Sequence, residues 1–141
     1  MRTKLVCGTG GLTLSTSTQD IPGLTYTFTA DANCQYEVVA QMIVSMISGN
    51  TGSDRQLDLS IRDGDSILSM FLDNHYTFSD YQMSSVSGTW VGHGHGTLSA
   101  GTHTIKVTTQ AGDSGNAAIY YGVWGGHDPV MFIKEYQTNS L

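Results

Sequence analysis

Along most of the chain apolar residues return at every second position, which is the pattern of strands with one buried face. Leu24, Tyr26, Phe28 and Ala30 alternate with Thr25, Thr27 and Thr29. This predicts a strand whose exposed face is covered by threonine. Leu57, Leu59 and Ile61 alternate with Asp58, Ser60 and Arg62, and Asp63-Gly64-Asp65 then returns the chain through Ile67 to Leu72, which reads as a hairpin. Between Gln35 and Ile47 the period is ambiguous. Val38, Met42 and Met46, like Val39, Ile43 and Ile47, also fit the i, i+4 spacing of a helix. Frequent β-branched residues, weak caps and strand neighbours favour a long central strand, expected to be buried on both faces.

Further strands are predicted at Thr77 to Val86, Thr89 to Leu98, Thr102 to Thr109, Ala117 to Tyr121 and Val130 to Tyr136, about nine in all. Ala111 to Asn116 and Gly125 to Pro129 read as loops, and Pro22 and Pro129 fall in predicted turns. The expected organisation is a flexible N-terminal arm over residues 1–11 and one β-sandwich domain over 12–137, with the last few residues loose. Repeats, linkers and low-complexity tracts are absent.

Composition sharpens the class. The chain has 141 residues, of which 13% are charged and 17 are glycine. That is the profile of short strands joined by tight turns in a single core. Twelve acidic against six basic residues give a net charge of −6 with no Lys/Arg cluster, so nucleic-acid binding is not expected. The apolar stretch from Val38 to Ile47 is interrupted by Gln41 and Ser45 and is too short to span a bilayer, and the start of the chain lacks a signal-peptide core. Cys7 and Cys34 are expected to be reduced thiols, because nothing else in the sequence points to an oxidising compartment.

Candidate chemistry is sparse. His93 and His95 in Gly92-His93-Gly94-His95-Gly96 leave the same face of an extended strand, a pair able to bind a metal but more simply read as exposed polar residues. His103 shares a side with Ile105 and Val107 and is expected to be a hydrogen-bonded structural histidine. His75 and His127 are placed in loops. Asp54, Asp58, Asp63 and Asp65 do not follow calcium-loop spacing and read as turn formers. With Glu37 and Glu135 they offer no persuasive carboxylate pair for glycoside hydrolysis, and no nucleophile elbow or phosphate loop is present. Neither catalysis, a metal nor a cofactor is expected.

The stretch Gly88-Thr89-Trp90, the strand Thr97-Leu98-Ser99-Ala100-Gly101-Thr102-His103-Thr104-Ile105-Lys106-Val107 and the closing Met131-Phe132-Ile133-Lys134-Glu135-Tyr136 resemble jelly-roll domains on tailed-bacteriophage virions. Those include capsid cement (decoration) proteins and receptor-binding heads of tail fibres, which share a fold with tumour-necrosis-factor-like heads. The resemblance covers roughly the last 55 residues well and the first 85 by strand spacing alone. It implies an all-β single jelly-roll sandwich of about eight to ten antiparallel strands, assembled as a homotrimer with apolar and aromatic side chains at the subunit contact.

Tyr120, Trp124, Phe132 and Tyr136 are the candidate trimer residues. The cement role further implies the major capsid protein and neighbouring cement trimers as partners, a place on the outer capsid surface after synthesis in the host cytoplasm, and neither nucleic acid nor membrane as a target. The absence of a shaft between Met1 and the sandwich favours cement over a fibre head. Arg2, Lys4 and Leu5 in the N-terminal arm are the candidate capsid contacts. The alternative is a receptor-binding or carbohydrate-binding head, with Tyr76, Tyr81, Trp90 and Trp124 as loop aromatics that stack on sugar rings.

Overall fold

The computed structural model describes residues 2–9, 12, 13, 15, 17–48, 55–68, 75–78, 85–111, 117–119 and 128–137, with side chains within 2–9, 12, 15, 17–42, 58–68, 90–110 and 128–136. The elements are β1 (Arg2–Cys7), β2 (Leu12–Thr13), β3 (Gln19–Ala30), β4 (Cys34–Ser48), β5 (Arg55–Asp63), β6 (Ser66–Ile67), β7 (His75–Phe78), β8 (Ser85–Leu98), β9 (Gly101–Ala111), β10 (Ala117–Ile119) and β11 (Val130–Gln137). All pairings are antiparallel.

In one sheet β1, β11, β4 and β8 lie side by side, and β10 with β2 continues the β11 side along the far half of the long β4. The other sheet runs β3, β9, β5, with β6 and β7 both on the outer edge of β5. The chain changes sheet between β2 and β3, β3 and β4, β4 and β5, β7 and β8, β8 and β9, and β9 and β10. This alternation of consecutive strands between two facing sheets is the jelly roll, as the sequence predicts.

The core fills the space between the sheets. Val38, Ala40 and Met42 of β4, Met131 and Ile133 of β11, and Trp90 and Leu98 of β8 meet Leu24 of β3, Leu59 and Ile61 of β5, and Ile105 and Val107 of β9. Each large aliphatic side chain so buried contributes ~1.5–3 kcal/mol. The inward positions keep the period of two along β4, β8 and β11, as antiparallel pleating demands; on β3 Ile21 and Leu24 stand three apart across the register shift.

Four expectations change. Residues 2–7 are not a loose arm: β1 pairs with β11 from Arg2↔Glu135 to Cys7↔Val130. Although β4 is the predicted strand, its described side chains bury one face only, Cys34, Tyr36, Val38, Ala40 and Met42, while Gln35, Glu37, Val39 and Gln41 look outward. Of the second apolar set that suggested two buried faces, Val39 therefore belongs to the outer face. Pro22 lies inside β3 rather than in a turn, where the register with β9 shifts between Asp20 and Thr25. That irregularity explains why a proline is tolerated, since its missing donor falls outside the ladder; its carbonyl accepts from Thr9 N at 2.9 Å. His75 opens β7 instead of occupying a loop. The Asp63-Gly64-Asp65 hairpin forms as predicted, with Asp63↔Ser66 and Arg62↔Ile67 paired and Gly64 at φ 57°, a value that suits the first position of a two-residue loop. Residues 69–74 lie outside the described part.

Candidate functional site

The alternation within Gly92-His93-Gly94-His95-Gly96 sorts β8 into two faces. Trp90, Gly92, Gly94 and Leu98 are buried, while Val91, His93, His95 and Thr97 lie on the outward side. A Cβ on Gly92 would collide with the Trp90 indole, and one on Gly96 would sit 2.9 Å from the Tyr36 hydroxyl. These two glycines are thus the space over which two core aromatics lie. Tyr36, 5% exposed, donates to the His95 carbonyl at 3.2 Å, and burial, helped by the Asp63 charge, pushes its pKa up to about 12.

On the outward side, register brings four strands into line. Leu5, Phe132, Val39 and His93 are successive partners across β1, β11, β4 and β8. Beside that line run Thr3, Lys134, Glu37 and His95. Glu37 is the hub of the polar line: His93 Nε2 lies 2.8 Å from one carboxylate oxygen, Tyr136 donates to the other at 3.1 Å, and Lys134 Nζ stands 4.0 Å away. The Tyr136 pKa is raised, first by that hydrogen bond and then by burial and the Glu37 charge. Lys134 also lies over the Phe132 ring, 5.5 Å from its centre. Leu5 at one end of the apolar line is 56% exposed, and Val91, beside the line on β8, is 40% exposed. Next to Tyr136 a shallow depression is lined by Gln35, His95 and Thr97.

The sequence-derived candidates therefore separate. Phe132, Tyr136 and Leu5 come together on this face. Arg2 and Lys4, one residue out of phase with Leu5, belong to the opposite side of β1 and line a cleft against β3. Tyr120 and Trp124 lie outside the described residues, as do Tyr81, His127, Asp54 and the side chain of Tyr76. Trp90 is not a loop aromatic available to a sugar: it is 1% exposed in the core. Cys7 is exposed, Cys34 is buried, and the two are not bonded to each other. Among the described residues no three His, Cys, Asp or Glu side chains gather as metal ligands would. Glu37, Val39 and Lys134 were missed, although the Gln35, Glu37, Val39, Gln41 alternation marks them as one face; cross-strand register, which makes them neighbours of His93, is not written in the sequence.

His103 sits where expected, buried at 9% exposure. Nδ1 lies 2.7 Å from Asp63 Oδ2 and Nε2 2.7 Å from the Ser99 carbonyl, while Thr104 N donates to Asp63 Oδ1 at 3.0 Å. Burial works against the charged ring, but the Asp63 and Ser99 hydrogen bonds and the Asp63 charge outweigh it and raise the pKa. With an acceptor at each nitrogen the imidazolium donates twice, tying the β5–β6 turn to the start of β9. This is a structural pair.

No family model matches the sequence, and no curated protein matches it either. Among solved structures it is similar to the CBM36-1 domain of a multidomain xylanase from the hindgut metagenome of Trinervitermes trinervoides, at 14% identity over 93% of this chain and 96% of that one, with a TM-score of 0.35.

Proposed function

We propose that this chain is a structural module that acts by association, the virion cement role that its resemblance to phage jelly-roll proteins implies, and that the outward face of the β1–β11–β4–β8 sheet is its contact surface. The observation that carries this reading is the open apolar line Leu5, Phe132 and Val39, bordered by Val91 on one side and by Lys134, Glu37 and Tyr136 on the other. Apolar and aromatic groups surrounded by polar ones are the anatomy of a protein interface. Self-association as a homotrimer follows from the resemblance, as do the major capsid protein as partner and the capsid surface as location. Sugar stacking through the loop aromatics of a receptor head has less support, because Trp90 is committed to the core.

The test joins native mass in solution with co-sedimentation on purified, undecorated phage heads. A trimer that pellets with heads is the expected result, and Leu5→Asp with Phe132→Asp should reduce it to a folded monomer that stays in the supernatant. A wild-type monomer that ignores heads but binds cells or glycans would overturn the cement reading in favour of receptor recognition.

A further inference from the structure

On the other side of β1 the sandwich does not close. β1 and β3 are the edge strands of the two sheets on this flank, and a cleft of 310 Å³ opens between them, lined by Arg2, Thr3, Lys4, Tyr26, Phe28, Ile133 and Glu135. One wall is aromatic: the Tyr26 and Phe28 rings lie 5.9 Å apart at 17° to each other. Both occupy inward positions of β3 yet are only partly buried, because they face the cleft. The other wall is cationic. Arg2 holds Glu135 through two short bonds, Nε to Oε2 at 2.8 Å and Nη2 to Oε1 at 2.7 Å, and reaches the Thr29 carbonyl at 3.1 Å. That pairing neutralises both groups. Lys4 is left as the uncompensated charge: among the described residues it has no acidic partner, and its ammonium lies 5.2 Å from the centre of the Tyr26 ring.

A carboxylate entering here would exchange that cation–π contact for a charge-assisted hydrogen bond. The ring faces of Tyr26 and Phe28 would meet the apolar face of whatever carries it. The geometry points to a binding site for a ring-sized monocarboxylate, the chemistry of an acidic sugar residue, held by Lys4 through its carboxylate and by Tyr26 and Phe28 through its ring. On a chain of net charge −6 such a lone cation beside half-buried aromatics suits one anionic group rather than a polyanion. The site uses the face of β1 opposite to Leu5 and does not depend on the assembly reading.

Titration of the full chain with glucuronate, followed by the NMR shifts of the Tyr26 and Phe28 rings, tests the site, with glucose and acetate as controls. Glucuronate is expected to shift both rings, and neither control to do so at the same concentration. Lys4→Met, which keeps the aliphatic stem, should weaken glucuronate binding by about tenfold or more, since a lost charge-assisted bond exceeds that ratio. Lys106→Met, on the outside of the other sheet, should not. Absence of a shift with glucuronate, equal binding of glucose or acetate, or unchanged binding by Lys4→Met would each overturn the proposal.

Discussion

At the scale of single residues the glycines of β8 are the sharpest case of a side chain defined by its absence. Gly92 and Gly96 leave room for the side chains of Trp90 and Tyr36 in the core. Gly92→Ala should force the indole out of its place and cost about 1–3 kcal/mol, the usual range for overpacking a filled core. Urea denaturation checks this against Thr97→Ala on the outward face, which should change stability by less than about 0.5 kcal/mol. The His103–Asp63 pair makes the second residue-scale prediction. A histidine whose folded pKa lies above its unfolded value of about 6.5 stabilises fully below that value and loses the contribution as pH rises through the folded pKa. The stability advantage of wild type over His103→Gln should therefore be largest in mild acid and shrink on the alkaline side. An advantage that grew with pH would contradict the double-donor arrangement.

Among elements, β1 matters most for what the sequence leaves open. A start carrying Arg2 and Lys4 ahead of the sandwich reads as a docking arm, but Thr3, Leu5 and Val6 suit a strand, and β11 offers six register partners to receive them. Removing residues 1–11 would strip an edge strand and uncover β11, so the truncated chain should be destabilised and prone to associate through the exposed edge. Denaturation midpoint and light scattering measure both effects; a truncated chain as stable as the full one would show that β1 contributes little. Point substitutions on β1 are the cleaner probes, because neighbouring positions serve different faces: Leu5 the contact surface, Arg2 and Lys4 the cleft. The Arg2–Glu135 pair closes one end of that strand, and the Glu135 pKa is lowered first by its hydrogen bond to Arg2 and then, against the effect of burial, by the Arg2 charge.

Over the whole molecule, two surfaces related by the pleat of one strand have opposite character. The outward sheet face presents an apolar line with charges beside it, and the flank between the sheets presents a cation above aromatic rings. If the first is a subunit contact, burial of Leu5 and Phe132 should make native mass and thermal stability depend on protein concentration, as they must when association and folding are linked. Dilution across the association midpoint should lower Tm for the wild type and leave the Leu5→Asp, Phe132→Asp chain unaffected. A concentration-independent Tm in the wild type would argue for a monomer.

Alternation alone was enough to fix the class of fold, the central strands and the inward direction of His103, because pleating makes side-chain direction a local property of each strand; it divided β8 in two, where Ser85–Leu98 is one strand. It also separated His93 and His95 from their intervening glycines. What it could not supply was anything that depends on which strand lies beside which. The meeting of Glu37 with His93 and Tyr136, the recruitment of residues 2–7 as an edge strand, the burial of Trp90 and the cleft between β1 and β3 all arise from pairings between residues far apart in the chain. Such contacts are chosen by the joint closure of two sheets over one core, and only the tertiary structure records that choice.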